Sequence, residues 1–209
     1  MYIVIEGQDA TGKDTQASLL AEYFREQGRE VVHYSESGTG SDDPFIREIA
    51  RLNYGSSQNI DHTTRVMLYL VNRYEQWRKI AEPVLERDGI VITTRNWFST
   101  LIYEGFGAGV SRKMIEQVHK AVMPEKYFNP DKIVVFTIPE PEQEKRLGTQ
   151  KDRDGATRKT EVWKSKGQSF QQKLNNGYLE IIKQYHVPQL DASGTINEVF
   201  QDLKALFRA

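Results

Sequence analysis

Glycines and a lysine that could bind a phosphate follow the first apolar run of the chain. Residues 6–16, EGQDATGKDTQ, contain Gly7, Gly12 and Lys13 at the spacing of the P-loop pattern G-x-x-x-x-G-K-[ST]. In such a loop the backbone N–H groups surround a phosphate, and the lysine reaches the β and γ phosphates of a nucleotide. The residues predicted to line this nucleotide site are Gly7, Gln8, Asp9, Ala10, Thr11, Gly12, Lys13, Asp14 and Thr15.

Asp14 departs from the P-loop pattern, because it stands where a serine or threonine hydroxyl normally ligates magnesium. Two outcomes are open. A carboxylate is a good ligand for magnesium, so Asp14 could bind the ion directly. Alternatively, its negative charge repels the nucleotide, although Lys13 beside it partly offsets that repulsion. Thr15 is no simple replacement, because the next helical position is turned by about 100° around the axis.

Further along the chain, three residues could recognise the parts of a nucleotide. Arg95 directly follows an apolar run, at the carboxyl end of a predicted buried strand, where a phosphate partner explains an arginine best. Tyr69 and Arg73 are four residues apart, so on a helix they share one face, with a ring to stack on a base and a guanidinium to donate to its carbonyl. Spacing alone favours the alternative of a core tyrosine beside a surface arginine.

The elements that must position these residues alternate between short β-branched runs and longer runs of helical period. The predicted strands are Tyr2–Glu6, Glu30–Ser35, Ile90–Thr93, Lys132–Ile138 and a weaker Pro188–Leu190. The predicted helices are Asp14–Gln27, Asp61–Arg87, Phe98–Phe106, Arg112–Val122, Gln168–Tyr185 and Thr195–Phe207. This pattern indicates an α/β fold, a three-layer α/β/α domain with a five-stranded parallel sheet and its ligand crevice at the carboxyl ends of the strands.

One stretch interrupts the pattern. Residues 146–167, RLGTQKDRDGATRKTEVWKSKG, are dense in charge and contain few aliphatic side chains, which predicts a mobile lid between two regular elements. The 209 residues otherwise form one predicted domain, 1–209, with this lid as an insert.

Composition excludes several classes of function. The net charge is -1, from 28 basic and 29 acidic residues, which gives no bulk electrostatic reason to bind nucleic acid or a membrane. The absence of cysteine excludes disulfides and thiolate metal sites and fits a reducing cytoplasm. The first residues, MYIVIEG, are too short an apolar run for a signal peptide, so a cytoplasmic protein is expected.

Four motifs together resemble the thymidylate kinases, in order and over nearly the whole chain. The first, IEGQDATGKDTQ, is similar to the family's F-E-G-x-D-G-x-G-K-[ST]-T-Q, with the internal Asp9 and the Thr-Gln ending. MLYLVNRYEQ (Met67–Gln76) resembles L-L-F-x-A-[DN]-R-x-E-Q, and VITTRNWFSTLIYEG (Val91–Gly105) resembles V-I-x-D-R-Y-x-x-S-x-x-A-Y-Q-G. FQQKLNNGYL (Phe170–Leu179) and the following LDA also fit.

The resemblance implies an ATP-dependent kinase that phosphorylates dTMP to dTDP with Mg2+ and that generally forms a homodimer. It implies that Tyr69 and Arg73 hold the thymine ring and that Asp9 accepts from the 3′-hydroxyl of the acceptor. The residues that it assigns to dTMP are Asp9, Glu36, Arg47, Tyr69, Arg73, Arg95, Ser99, Tyr103 and Glu104. The structural alternatives are a turn residue for Asp9, a solvated helix arginine for Arg47, a core tyrosine for Tyr103 and a solvent-facing carboxylate for Glu104.

The catalytic residues that the resemblance implies are Asp9, Lys13, Arg95 and a lid arginine. Family members place a catalytic arginine either in the P-loop or on the lid, and here the P-loop position is Ala10. The lid is therefore expected to supply it, as Arg153 in KDRD or as Arg158. Both would place positive charge around the transferred phosphoryl group.

Three departures from the family pattern concern the chemistry. Thr94 stands where the family has an aspartate near magnesium, so Asp14 and Thr94 look like an exchange of a hydroxyl and a carboxylate around one ion. Ser35 replaces an arginine, and Glu104 replaces a neutral polar residue near the base N3–H. An ionised Glu104 accepts from the N3–H of thymine or uracil and disfavours cytosine.

Two alternative functions follow from these departures. The first is a kinase for another nucleoside monophosphate such as dUMP. The second is a catalytically silent homologue that binds nucleotides without transferring a phosphoryl group, for which Asp14, Thr94 and Ser35 are the motivation.

Overall fold

One parallel sheet organises the protein. The computed structural model describes residues 1–54, 59–149 and 161–208, and in these the sheet has five strands in the order β2-β3-β1-β4-β5. Every neighbouring pair of strands is parallel. The strands are β1 (Tyr2–Gly7), β2 (Val31–Ser35), β3 (Ile90–Thr94), β4 (Lys132–Thr137) and β5 (Gln189–Asp191). All five predicted strands are confirmed, and their observed bounds differ from the predicted ones by a residue at one or both ends.

Helices connect the strands and cover both faces of the sheet. They are α1 (Lys13–Glu26), α2 (Pro44–Tyr54), α3 (His62–Gln76), α4 (Glu82–Glu86), α5 (Trp97–Thr100), α6 (Arg112–Val122), α7 (Glu125–Phe128), α8 (Glu140–Thr149), α9 (Glu161–Tyr185) and α10 (Ile196–Arg208). The predicted α/β fold with helices flanking a five-stranded parallel sheet is therefore confirmed.

The single helix predicted over Asp61–Arg87 is interrupted by a π-helical segment, Trp77–Ala81, between α3 and α4. Pro83 lies at the start of α4 and has no N–H to bond the preceding turn, so a regular α-helical ladder cannot run through this point. A second π-helical segment, Leu101–Gly107, continues α5 and occupies most of the predicted helix Phe98–Phe106. Hydrophobic periodicity does not distinguish these wider turns from α-helix.

Three helices of the described residues were not predicted, and two of the observed helices extend into the stretch predicted as a lid. The structure adds α2, α7 and α8. Helices α7 and α8 are short or rich in charge and carry a weak periodic signal, whereas α2, PFIREIARLNY, is amphipathic, and the sequence prediction did not use its helical period. Residues 146–149 belong to α8, and 161–167 belong to α9, so these two ends of the predicted lid are helical. Arg153 and Arg158 lie outside the described residues.

Alternate side chains of the central strand pack into two separate cores. Tyr2 and Val4 of β1 face a core built with α3, the π-helical segments, α6 and α9. Ile3 and Ile5 face the opposite core, built with α1 and α10. Because both faces are covered, β1 and β3 are buried along their whole length, which explains their nearly continuous apolar sequence.

The carboxyl ends of β1, β2 and β3 meet at one edge of the sheet. Thr94 pairs in register with Ile5 on one side and with Ser35 on the other. The P-loop, the loop after β2 and Arg95 therefore start from adjacent points, as the sequence predicts for a ligand crevice. In the described part of the chain, no helix combines the length and the apolar character that crossing a membrane requires.

Candidate functional site

The P-loop is a tight connection from β1 to α1 that depends on two glycines. Gly7 has φ 143°, and a Cβ at this position would lie 2.2 Å from the carbonyl oxygen of Phe136. Gly12 has φ 81° and immediately precedes α1, where a residue with a side chain would be strained. Ala10 adopts φ 65° between them. The loop therefore directs its backbone toward the N-terminus of α1, the arrangement that binds phosphate.

Lys13 is buried and folds back onto its own loop. Its Nζ donates to the carbonyl oxygen of Gln8 at 2.5 Å and lies 3.4 Å from the hydroxyl of Thr11. Burial, together with the nearby Arg95 guanidinium, lowers the pKa of Lys13 to about 8. The lysine that the motif assigns to phosphate is thus held in a desolvated position in which an anionic ligand would stabilise its charge.

Asp9 lies at the centre of a group of polar side chains from three elements. Its carboxylate forms an ion pair with Arg95, and its other oxygen accepts from the Tyr103 hydroxyl at 2.8 Å. Burial alone would raise the pKa of Asp9, but Arg95 and Lys13 hold it below its usual value. Asp9 is therefore a carboxylate at neutral pH.

Arg95, the ion-pair partner of Asp9, has a strained backbone conformation. Its φ of 72° lies in the left-handed region, which costs a non-glycine residue about 1–3 kcal/mol. Its guanidinium donates to the Ser99 hydroxyl at 3.1 Å and to the Tyr178 hydroxyl at 3.3 Å, in addition to Asp9. Such strain persists where the surrounding structure requires one orientation of a side chain, as at a binding site.

Ser99, which was predicted to bind the acceptor, links Arg95 to a buried carboxylate. Its hydroxyl donates to Glu6 Oε1 at 2.8 Å, and its backbone N–H donates to the same oxygen at 3.1 Å. The Asn96 N–H donates to that oxygen as well, at 2.8 Å. Glu6 therefore anchors the turn between β3 and α5 from which Arg95 projects.

Glu36 and Arg73 form a second polar group, fully buried between the end of β2 and α3. Arg73 Nε donates to Glu36 Oε2 at 2.8 Å, and the Tyr127 hydroxyl donates to the same oxygen at 2.8 Å. Burial raises the pKa of Glu36 to about 7, against the opposing effect of Arg73. Arg73 also lies over the ring of Tyr69, 5.4 Å from its centroid, so the predicted base-binding pair shares one face of α3.

Glu104 is buried near Tyr69 and pairs with a residue that was not predicted. The His62 Nδ1 atom lies 2.5 Å from Glu104 Oε2. Burial first, and then the charges of Tyr54 and Glu104, raise the pKa of Tyr69 well above its usual value. The expectation that Glu104 is placed near the base-binding residues is thus compatible with the geometry, and a fully solvent-facing Glu104 is not.

Arg47 makes no hydrogen bond to the Asp9 group within the described residues. It is exposed on α2, and its Nη1 donates to the carbonyl oxygens of Ser41 and Asp42, at 3.2 Å each. These bonds hold the loop before α2, so the geometry as it stands fits the alternative of a helix arginine.

Asp14 and Thr94, the two predicted metal ligands, are in direct contact. The buried Thr94 hydroxyl donates to Oδ1 of the exposed Asp14 at 2.7 Å. A carboxylate and a hydroxyl oxygen so placed fit a hard cation such as Mg2+, which takes oxygen ligands and usually keeps several waters. No group of three or more His, Cys, Asp or Glu residues suited to a metal is found in residues 1–54, 59–149 and 161–208.

Several side chains of the site were missed from the sequence. They are Glu6, His62, Tyr127, Gln143 and Asn175, and they come from elements far apart in the chain. Tyr178 lies in FQQKLNNGYL, so the fourth motif contained a signal for it. Glu6 and Asn175 also lie within quoted motifs, IEGQDATGKDTQ and FQQKLNNGYL. His62, Tyr127 and Gln143 are single polar residues of helices, and only the fold brings them to the site.

Comparison with known proteins gives a consistent result over the whole chain. A sequence model described as Thymidylate kinase matches residues 5–203. The chain is 31% identical over 186 residues to the thymidylate kinase of Ruegeria pomeroyi, an alignment that covers 88% of this chain and 82% of that protein. It is 29% identical over 212 residues to the probable thymidylate kinase of Thermococcus onnurineus, covering 99% and 96%. The crystal structure of thymidylate kinase from Ehrlichia chaffeensis shares the fold, with a TM-score of 0.70, 24% identity, and coverage of 99% of this chain and 98% of that one.

Proposed function

The chain belongs to the thymidylate kinase family, and from this we propose that it transfers the γ-phosphoryl group of ATP to dTMP, giving dTDP and ADP. The observation that carries the proposal is the Asp9 group: a carboxylate held between Arg95 and Tyr103, beside the P-loop lysine. This arrangement joins a phosphate-binding loop to groups that can orient a second, acceptor nucleotide. No covalent intermediate is required, since positioning and charge stabilisation account for phosphoryl transfer.

On the donor side, the P-loop residues Gly7 to Thr15 bind the phosphates of ATP. Lys13 exchanges the Gln8 carbonyl for phosphate oxygens, which are stronger acceptors because they are charged. Asp14 and Thr94 would hold Mg2+, which would neutralise charge on the phosphates. Their direct contact supports the hypothesis that a carboxylate and a hydroxyl have exchanged places around one ion.

On the acceptor side, Tyr69 stacks on the thymine and Arg73 donates to its O4 carbonyl. Glu104 accepts from N3–H, while Arg95 binds the acceptor phosphate and Asp9 accepts from the 3′-hydroxyl. Tyr103, whose hydroxyl is held by Asp9, lies against the sugar and takes the space that a ribose 2′-hydroxyl would need. Glu36 keeps Arg73 in place, and Arg47 reaches the acceptor phosphate only if it leaves its loop carbonyls.

A panel of acceptors tests this function. ADP formation is measured with ATP, Mg2+ and each of dTMP, dUMP, UMP, dCMP and dGMP, with an acceptor-free reaction as the control. We expect the highest kcat/KM with dTMP. If another nucleotide gives a higher kcat/KM, that nucleotide is the preferred substrate in place of dTMP. Binding of ATP and dTMP without ADP production would instead identify a silent nucleotide-binding homologue.

We propose that a lid arginine completes the catalytic machinery, because Ala10 leaves the P-loop without one. The candidates Arg153 and Arg158 lie outside the described residues. Substituting the catalytic one by alanine should lower kcat at least tenfold, about 1.4 kcal/mol of barrier, and should change the KM for dTMP much less. If both single variants keep wild-type turnover, the lid does not supply the group.

We also propose a homodimer that forms through α3. Three large side chains of this helix are exposed although apolar or aromatic: Met67 (39%), Val71 (42%) and Tyr74 (39%). Their spacing of four and three residues places them on one face of α3. A second copy of the chain would remove this face from water.

A further inference from the structure

Four side-chain amides join the P-loop to α8 and α9. They belong to Gln8 in the loop, Gln143 on α8, and Gln171 and Asn175 on α9. None of the four is part of the predicted site chemistry, apart from the general place of Gln8 in the loop.

The first connection holds the side chain of Gln8 at both ends. Its Nε2 donates to Asn175 Oδ1 at 2.8 Å, and its Oε1 accepts from the Ile138 N–H at 2.8 Å. Gln8 is buried, with 6% of its surface exposed, so water does not compete for these bonds. The loop is therefore tied to α9 on one side and to the end of β4 on the other.

The second connection holds the backbone of the next residue. Gln143 Nε2 donates to the carbonyl oxygen of Asp9 at 3.1 Å. Gln143 Oε1 in turn accepts from Gln171 Nε2 at 3.3 Å and makes a longer contact of 3.5 Å with Asn175 Nδ2. Gln171 Nε2 also donates to Asn175 Oδ1 at 2.9 Å, which closes the cluster.

Both connections act on the same part of the loop. The cluster fixes the side chain of Gln8 and the carbonyl group of Asp9, which are consecutive residues, and so it fixes the orientation of the Asp9 Cα–Cβ bond. The Asp9 carboxylate then meets Arg95 and Tyr103. The cluster carries no net charge, so it can hold the loop without altering the field around a bound phosphate.

We propose that Asn175 is a positioning residue for phosphoryl transfer, acting through Gln8 to keep the Asp9 carboxylate in place. Asn175 accepts both the bond from Gln8 and the bond from Gln171, so its amide is the point at which the loop and the two helices are joined. The inference rests on the proposed function, since it assigns Asn175 a role in that reaction.

The sequence of α9 supplies matched controls for this inference. In FQQKLNN, each amide of the cluster is followed by a second residue of the same type: Gln172 after Gln171, and Asn176 after Asn175. Both of these neighbours are exposed, because the next position on a helix is turned by about 100°. Asn176→Ala therefore removes the same chemical group from the same helix, outside the cluster.

The test compares Asn175→Ala with Asn176→Ala in steady-state assays of ADP formation. We expect Asn175→Ala to lower kcat about tenfold and to change the KM for dTMP by less than about threefold, with Asn176→Ala unchanged. Because Asn175 acts through Gln8, the double variant Gln8→Ala/Asn175→Ala should lose much less than the product of the two single losses. Equal turnover of the two alanine variants, or losses that multiply, would overturn the proposal.

ATP affinity, measured by titration without acceptor, gives a second readout. Asn175→Ala should bind ATP at least about threefold more weakly than Asn176→Ala, since the P-loop is displaced, and equal affinities would count against the proposal. If thermal denaturation shows that Asn175→Ala is unfolded, the less disruptive Asn175→Ser replaces it in both assays. A wild-type chain without turnover on any acceptor would reject the proposed function, and the ATP titration would still decide the role of Asn175.

Discussion

Lys13 illustrates, at the scale of single residues, how a binding function conflicts with stability. Its pKa, about 8 in the folded chain against an ordinary 10.5, means that folding disfavours its charged form. The energetic penalty is present in full below pH 8 and disappears as the pH rises through 10.5. The charged lysine is therefore unfavourable to the ligand-free fold, and the phosphate that we propose it binds would explain its presence.

Lys13→Met should accordingly stabilise the ligand-free chain at pH 7, by about 1–3 kcal/mol, while abolishing turnover. Denaturant unfolding of both proteins measures the difference. It should shrink as the pH is raised from 8 to 10, because the wild-type lysine then loses its proton. A variant less stable than wild type at pH 7 would show that the Gln8 and Thr11 contacts outweigh the desolvation of the ammonium.

Asp14 and Thr94 give a second prediction at this scale. If the two side chains share one magnesium ion, Asp14→Ser and Thr94→Asp should each lower kcat at least tenfold, and the combined variant should recover to within about threefold of wild type. The assay is repeated over a range of Mg2+ concentrations, since lost ligands should raise the Mg2+ requirement of the single variants. Three variants with the same activity would contradict a shared ion.

At the scale of elements, Arg73 joins α3 to the end of β2 through Glu36. Arg73→Met leaves the Glu36 carboxylate buried without its cation, which typically costs about 3–5 kcal/mol. The pKa of Glu36 is raised to about 7 from an ordinary 4.5, so its folded form takes up a proton readily. We therefore expect the loss of stability in Arg73→Met to be larger at pH 8 than at pH 6.

Glu36→Gln is the control for this prediction, because it keeps the size of the side chain and removes the charge. This variant leaves the Arg73 guanidinium buried without its anion, so it also loses stability, but the loss should not grow from pH 6 to pH 8, because the titrating carboxylate is gone. Equal losses for Arg73→Met at both pH values would mean that Glu36 is protonated, or reaches water, throughout this range.

Most elements could be predicted from the sequence, and the exceptions have physical reasons. The strands carry runs such as YIVI and IVIT that a buried parallel sheet requires, so all five were found. The π-helical segments were not found, since a single wider turn leaves nearly the same spacing of apolar residues. Helix α8, EPEQEKRLGT, is too polar for a periodic signal and is recognised only once β4 is seen to end before it.

The residues of the candidate site likewise divide into those that sequence motifs predict and those that only the fold brings together. Asp9, Lys13 and Arg95 belong to motifs contiguous in sequence, which predict both their types and their position at the strand ends. The partners of these residues, such as Tyr178 on α9 and Glu6 beneath Ser99, depend on contacts between distant elements. The exchange inferred from the sequence requires Thr94 and Asp14 to be close together, and they are in contact because β3 is paired with β1.

At the scale of the whole molecule, the exposed face of α3 predicts the state of association. Val71→Glu places a charge in the middle of the proposed dimer contact and should convert a dimer into a monomer. Analytical ultracentrifugation measures the mass of each protein. Leu179→Glu is the control, because Leu179 is more exposed (54%) than Val71 but lies on α9, and it should leave the dimer intact. A monomeric wild-type chain would contradict the proposed dimer.

The bond between Lys13 and the Gln8 carbonyl has a consequence for which molecules the loop admits. A ligand that takes over the N–H now bonded to Gln8 must displace an internal acceptor that lies 2.5 Å from the ammonium nitrogen. Uncharged oxygens, such as sugar hydroxyls or the carbonyls of other metabolites, form hydrogen bonds with the lysine no stronger than the one it already makes to the Gln8 carbonyl. A phosphate forms a stronger one, since hydrogen bonds to a charged acceptor are roughly twice as strong as those to a neutral one. The resting loop therefore favours charged ligands over neutral ones before any contact with a base or a sugar is made.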